Sequence, residues 1–454
     1  MAKGDASVQG VRGDRRVLLG WVMYDWANSA YATTIVAAVL PIYFASVVVP
    51  QGGAVFFGRA FAAETLWGWM VGLSALVVFA TAPVLGAVAD FANARKRMLL
   101  IFCYTGAVAT ALLGTAGAGA VLWTAGLFLL SQIGFVGANV FYDAFLPLIA
   151  PPGSEDRLSS RGFAYGYLGG GLHFALSLVL ISFHERFGLS EPAAARIAMA
   201  SAALWWGGFA LVTAFLLREP GASSGSPAKG AKPSLTGYAR LGFRRVWRTT
   251  LQVRRLRDLT FFLLAFMVYN DGIQTVISMA TMYGRQELQL GAPVLMATLL
   301  MIQFIAMGGA VAFGQLADRI GAKAAILVAL VGWTGVVVSA YWITTAVHYM
   351  VLGALVGIVL GGSQALSRSL YAVMIPERAS AEFYGFYSVF AKFSAIGGPI
   401  ALATVRHLTG SFRQAILFVI VFFLLGMLLL LWVRPERARE ASAALEGELL
   451  HEGI

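Results

Sequence analysis

Apolar residues run through this chain in long blocks, each ended by a short polar break. Twelve blocks reach the ~20 residues that an α-helix needs to cross ~30 Å of hydrocarbon. They fall at roughly 18–48, 65–88, 98–117, 121–150, 163–183, 196–217, 259–283, 293–316, 324–345, 347–375, 383–405 and 412–433. Lipid offers backbone polar groups no water, so only helices and closed barrels span it. Barrel strands alternate polar and apolar over ~10 residues. The run from Ala415 to Val433 shows no such alternation. The pattern predicts an all-α polytopic membrane protein with twelve transmembrane helices.

Composition agrees. Of 454 residues, 59% are hydrophobic and 12% charged, against about 25% charged in a soluble domain. The mean hydropathy is +0.76. A net charge of +11 would suit nucleic acid, but its placement points elsewhere. With the N-terminus taken as cytoplasmic, 26 of the 33 Lys and Arg residues fall on that side, Arg368 near the end of the tenth helix included. Six lie opposite, and Lys392 is inside a helix. That bias is the positive-inside rule. It predicts both termini in the cytoplasm, with a basic surface on the anionic leaflet, and no nucleic-acid partner. Cys103 is the only cysteine, so no disulfide and no cysteine-based metal site is expected. The first block is too long for a signal peptide and reads as a retained span.

The longest polar stretch, 218–257, opens as a flexible Gly/Ser linker and ends in a basic run. In that run Phe243, Val246, Trp247 and Leu251 interleave with Arg244, Arg245, Arg248, Arg254, Arg255 and Arg257. The spacing predicts a helix lying on the cytoplasmic interface. It divides the chain into a six-helix bundle over 1–217 and a second bundle with a tail over 258–454. The halves repeat in order. Gly86 and Asp90 in the second helix match Gly314 and Asp318 in the eighth. Asn139 and Asp143 match Gln364 and Arg368, and Gly166 and His173 match Gly385 and Lys392. Tyr24-Asp25 has its counterpart in Tyr269-Asn270-Asp271. Duplicated halves are the mark of secondary transporters, whose substrates bind at the repeat interface near the midplane.

The segment Gly314-x-Leu316-Ala317-Asp318-Arg319-x-Gly321-x-Lys323 resembles the signature loop of the major facilitator superfamily. In the first copy Phe91 replaces the Arg and Ala94 the Gly, and the basic trio is Arg95-Lys96-Arg97. A looser latch is expected there. A narrower likeness lies in Trp21 to Phe44, Ser160 to Tyr167, Tyr269 to Gly272, Gly361 to Ser369 and Phe383 to Pro399. These segments resemble the vacuolar amino-acid effluxer family of autophagy and its bacterial UMF members. The likeness spans both halves. It implies two pseudo-symmetric bundles, efflux of small solutes, and a central cavity lined by helices one, four, seven and ten.

An ionisable group inside a span costs about 2.5–3.5 kcal/mol on insertion scales and is a functional candidate by default. The candidates for substrate and coupling are Asp25, Asp143, His173, Asp271, Arg368 and Lys392, with the polar residues Asn28, Asn139, Asn270 and Gln364. Three carboxylates and two fixed cations suit a substrate carrying both charges, such as an amino acid or small peptide, because Arg forks onto a carboxylate and Asp accepts from an ammonium. The same groups could instead neutralise one another and leave an apolar site. Asp25 and Asp271 hold related places in the two repeats and are expected to face each other as a proton-coupling centre. Arg368 could instead latch onto Asp318. For gating the candidates are Gly86, Asp90, Arg95, Gly314, Asp318 and Arg319. No phosphate-binding loop and no HExxH motif occurs, so neither ATP drive nor a metal is expected, nor any cofactor. The reading is a monomeric, proton-coupled secondary carrier in a bacterial inner membrane. The alternatives are a carrier of peptides, drug-like or lipid-like solutes, a membrane enzyme, and a receptor or scaffold on the same fold.

Overall fold

The computed structural model describes residues 11–220 and 256–451. The basic run expected to form an interfacial helix lies, up to residue 255, outside the described residues. Twelve helices are long and apolar enough to span a bilayer. They are α1 (Arg15–Val48), α2 (Ala63–Ala92), α3 (Arg95–Leu113), α4 (Val121–Ile149), α5 (Glu155–Ser182) and α6 (Glu191–Leu216). After the linker come α7 (Arg257–Gln286), α8 (Ala292–Ile320), α9 (Ala322–Ala340), α10 (Ala346–Val373), α11 (Glu377–Thr409) and α12 (Phe412–Trp432). The ends follow local chemistry. The Asp14 side chain accepts from the Arg16 amide at 2.8 Å to open α1, and Ser190 and Thr345 cap α6 and α10 likewise. Asn93 closes α2 in the left-handed region, at φ 46°. Several helices run past their apolar blocks. The fifth begins at Glu155 rather than 163, because Glu155 and Asp156 suit a helix N-terminus and its first two turns stand outside the apolar run.

Four features escaped the hydropathy pattern. A hairpin, β1 (Ala54–Phe56) and β2 (Arg59–Phe61), turns through Phe57 and Gly58, both at positive φ. A helix α13 (Pro435–His451) follows the last span. Tyr31–Val39 and Phe44–Val48 within α1 are π-helical, a distortion common at functional sites. The eleventh span is broken: α-helix runs over Ser380–Phe393 and resumes over Gly397–Thr409. Pro399, with no N–H and a ring that crowds the preceding turn, accounts for the interruption.

The two bundles meet along α2 with α11, α5 with α8 and α10, and α4 with α11. Glycine permits the closest approaches. A Cβ on Gly86 would stand 2.2 Å from the Ala381 carbonyl oxygen, and one on Gly314 would stand 2.6 Å from Ser160 Oγ. Among the described residues, the hydrogen bonds between the halves reach from α13's face of the molecule no deeper than Tyr167 and Gln364. The molecule is latched at the end that carries both termini.

Candidate functional site

The inner end of the latch is built on Arg368, on α10, which is 4% exposed. Its Nη1 donates to Asp25 Oδ2 of α1 at 3.2 Å and to Asp143 Oδ1 of α4 at 3.1 Å. Its Nε and Nη2 donate to the side chain and carbonyl of Ser159, on α5, each at 2.9 Å. Tyr142 Oη adds a 2.7 Å bond to Asp25 Oδ2. The guanidinium carbon lies 4.2 Å from the Phe163 ring centre, 4.9 Å from Trp21 and 5.4 Å from Tyr142. Four of the five N–H donors of the guanidinium are taken within this cage. Here it binds one half of the protein to the other. The approach depends on Gly162, whose Cβ would fall 2.7 Å from Asp25 Oδ2 and 2.9 Å from Arg368 Nη2.

Asp271 is engaged elsewhere. Its Oδ1 accepts from the Gly398 amide at 2.8 Å, so α7 caps the resumed half of α11. Asn270 donates to Ser394 Oγ within the same break. Asp25 therefore bonds to Arg368 and Tyr142, not to Asp271. The partner of Asp318 is Arg157, at 2.8 Å, not Arg368. Asn28 donates to Asn139 at 2.7 Å, tying α1 to α4. Across the halves, Tyr167 Oη donates to Gln364 at 2.7 Å. His173 bonds Thr34 at 2.9 Å and Ser201 at 3.1 Å, all within its own half. It lies at the base of a hollow of about 400 Å³ between α5 and α6. Leu176 and Leu204 line that hollow and are exposed.

Lys392 differs from all of these. It ends the first half of α11. Among the described residues its ammonium has no hydrogen bond, ion pair or ring partner, and the side chain is partly buried. It sits beside the break, in the interior of the eleventh span.

The first signature loop is the tighter of the two, against expectation. Asp90 accepts from the Ala381 amide at 3.2 Å and from Glu382 at 2.8 Å, capping α11, and it pairs with Arg95 at 2.6 Å. Both side chains are under 10% exposed. Arg95 also donates to the Arg378 carbonyl at 2.9 Å. Glu219 caps α3 through the Arg95 and Lys96 amides. Burial pushes its carboxyl above the usual range, which the nearby Arg95 opposes. The missing Arg of the motif is thus supplied by Arg95, four residues after Phe91. In the second loop the Arg157–Asp318 pair is exposed on one side, and Arg319 is exposed with no bond among the described residues. Sequence reasoning missed Tyr142, Ser159 and Gly162. Of these only Gly162 lay in a matched segment, and nothing in the residue types of Tyr142 and Ser159 marks them as partners of Arg368.

Comparison with known proteins now adds to the geometry. Residues 13–443 match the family described as "Vacuole effluxer Atg22 like". The uncharacterized MFS-type transporter YxiO of Bacillus subtilis is 33% identical over 431 residues, covering 93% of this chain and 96% of that one. Autophagy-related protein 22 of Kluyveromyces lactis is 25% identical, over 77% of this chain and 75% of its own. Among solved structures, the human organic anion transporter MFSD10 (TETRAN) superposes with a TM-score of 0.67 at 16% identity, covering 92% of this chain and 99% of that one. The proton:xylose symporter XylE gives 0.66 at 14% identity, over 97% and 99%. These neighbours are transporters, not enzymes, and share a fold of two six-helix bundles. The chain belongs to the Atg22-like family and is a multi-pass membrane transporter of the major facilitator type.

Proposed function

We propose that the protein exports a small amino-acid-like zwitterion by alternating access, exchanging it for protons. Both termini and the latched face lie in the cytoplasm of a bacterial cell, the protein sits in the inner membrane, and it works as a monomer. The observation that carries this reading is the sorting of intramembrane charge. Arg368, Asp25 and Asp143 satisfy one another across the halves, while Lys392 has no partner among the described residues. An unpaired cation in a span is costly and suits a ligand carboxylate.

The triad gives the exchange a mechanism. To open the cytoplasmic face, Arg368 must leave with its half of the protein. Asp25 and Asp143 then stay behind as two neighbouring carboxylates without a counter-ion. Like charges so placed take up a proton or a cation. A substrate ammonium and a proton compete for that vacancy, and either allows the face to open. Substrate ammonium displaces the proton into the cytoplasm, and re-closing restores Arg368 and expels the substrate outward. Asp271, holding the two parts of α11 in register, transmits the movement to the Lys392 segment.

The test is binding. Purified protein is screened for thermal stabilisation by amino acids, peptides, sugars and organic cations, beside Lys392→Gln. The proposal expects stabilisation by solutes carrying a carboxylate and an ammonium, weakened at least about tenfold in Lys392→Gln, the scale of ~1.4 kcal/mol for a charge-assisted contact. Stabilisation by sugars alone, or an unaltered response in a folded Lys392→Gln, overturns it.

A further inference from the structure

Two hollows on the outer surface join between α5 and α8. The first, of about 330 Å³, is lined by Arg157, Ser160, Arg161, Gln315 and Asp318, with Val311. The second, of about 440 Å³, is walled by Ala164, Leu168, Met307, Gly308 and Ala312. They share Val311 and Gln315, and so form one slot. Its charged end lies toward the face that carries the termini, and its apolar end toward the middle of the bilayer. From Arg157 to Leu168 along α5 is eleven residues, or about 16 Å at 1.5 Å per residue. That is about one leaflet, half of the ~30 Å hydrocarbon core.

The charge at the slot's mouth is unspent. Arg161 is exposed and has no hydrogen bond or ion pair among the described residues. Arg157 is 58% exposed, and among the described residues its side chain bonds to Asp318 alone. An occupant must be anionic at one end and apolar for the depth of a leaflet, and it must enter from the membrane. We propose that this slot binds a single phospholipid of the terminus-side leaflet, with its anionic headgroup on Arg161 and Arg157 and an acyl chain against Gly308 and Leu168. The charge bias of the chain places this end at the anionic leaflet. The headgroup then competes with Asp318 for Arg157, so bound lipid bears on the second latch. This inference stands apart from the identity of the solute.

Native mass spectrometry of the full chain in neutral detergent, titrated with phosphatidylglycerol, tests it. Wild type should retain one lipid more tightly than it retains phosphatidylcholine. Arg161→Gln should weaken retention about fivefold, the effect of one basic residue at an anionic surface. Gly308→Leu should weaken it too with no change of charge. A Cβ there meets nothing within 4 Å, so the variant fills the slot without a clash. Asp318→Asn, which frees Arg157, should strengthen retention. Equal retention of phosphatidylcholine, or wild-type retention in both Arg161→Gln and Gly308→Leu, overturns the proposal. So does displacement of the lipid by glycerol 3-phosphate, which would mark a site for free phosphate.

Discussion

At the scale of single residues, the buried Arg368 shows how geometry overrides residue type. Its five donors and planar face read, in the sequence, as an anchor for a solute carboxylate. In the folded chain Asp25, Asp143 and Ser159 take its donors, and three aromatic rings enclose it. Its charge was legible; its partners were not, because they come from three helices more than 200 residues away. Gly162 is the residue on which that arrangement turns. Gly162→Ala should push Asp25 from Arg368 and loosen the latched state. A cysteine placed on the latched face, in a background lacking Cys103, should then react several-fold faster with a hydrophilic maleimide. Unchanged reactivity would mean that Arg368 reaches Asp25 without needing this glycine. Lys392 is the converse case: that it has no partner among the described residues was invisible in the sequence, since the likeness of the halves pairs it only with His173.

At the scale of elements, twelve spans follow from apolar blocks alone, since each block matches the hydrocarbon thickness. Distortions within spans do not follow. The π-helical turns of α1 arise from packing that no hydropathy window measures. The break in α11 had a local sign in Gly397-Gly398-Pro399, and its cap from Asp271 is tertiary. Helix ends also separate the two signature loops. Asp90 is buried, caps two amides and holds Arg95, whereas Asp318 meets an exposed Arg157. Breaking a buried pair costs about 3–5 kcal/mol, and an exposed one about 0.2–1 kcal/mol. Asp90→Ala should therefore lower the melting temperature by several degrees more than Asp318→Ala. The reverse order would show that the second loop carries the latch. The C-terminal α13 docks through Glu446, which accepts from the Glu377 amide at 3.2 Å and lies near Arg378. Burial, with repulsion from Glu377, pushes the Glu446 carboxyl above its ordinary range. A carboxyl raised on docking binds its proton more tightly docked than free. Docking is thus favoured at low pH and weakened as pH rises through that raised value. Hydrogen exchange of α13, corrected for intrinsic rates, should slow as pH is lowered through the raised carboxyl range of Glu446. Glu446→Gln should remove that dependence.

At the scale of the whole molecule, the hydrogen bonds between the halves gather at one end, none among the described residues lying beyond Tyr167 and Gln364, and this is one state of a carrier that must have another. The repeat gives α2 and α8 matched places: each signature helix meets the start of a span in the other half, α11 and α5 respectively. The repeat also suggested that Asp25 and Asp271 would face each other. They divide the labour instead. Asp25 holds the halves together and Asp271 holds a broken helix. The proposed exchange rests on what happens to Asp25 and Asp143 once Arg368 withdraws. It is tested most directly in proteoliposomes loaded with a labelled solute from the binding screen, by comparing counterflow at equal pH with efflux against an imposed pH gradient. The account predicts that wild type responds to the gradient. It predicts that Asp25→Asn, folded and still capable of counterflow, loses at least most of that response. A full response in Asp25→Asn and in Asp143→Asn alike would contradict it.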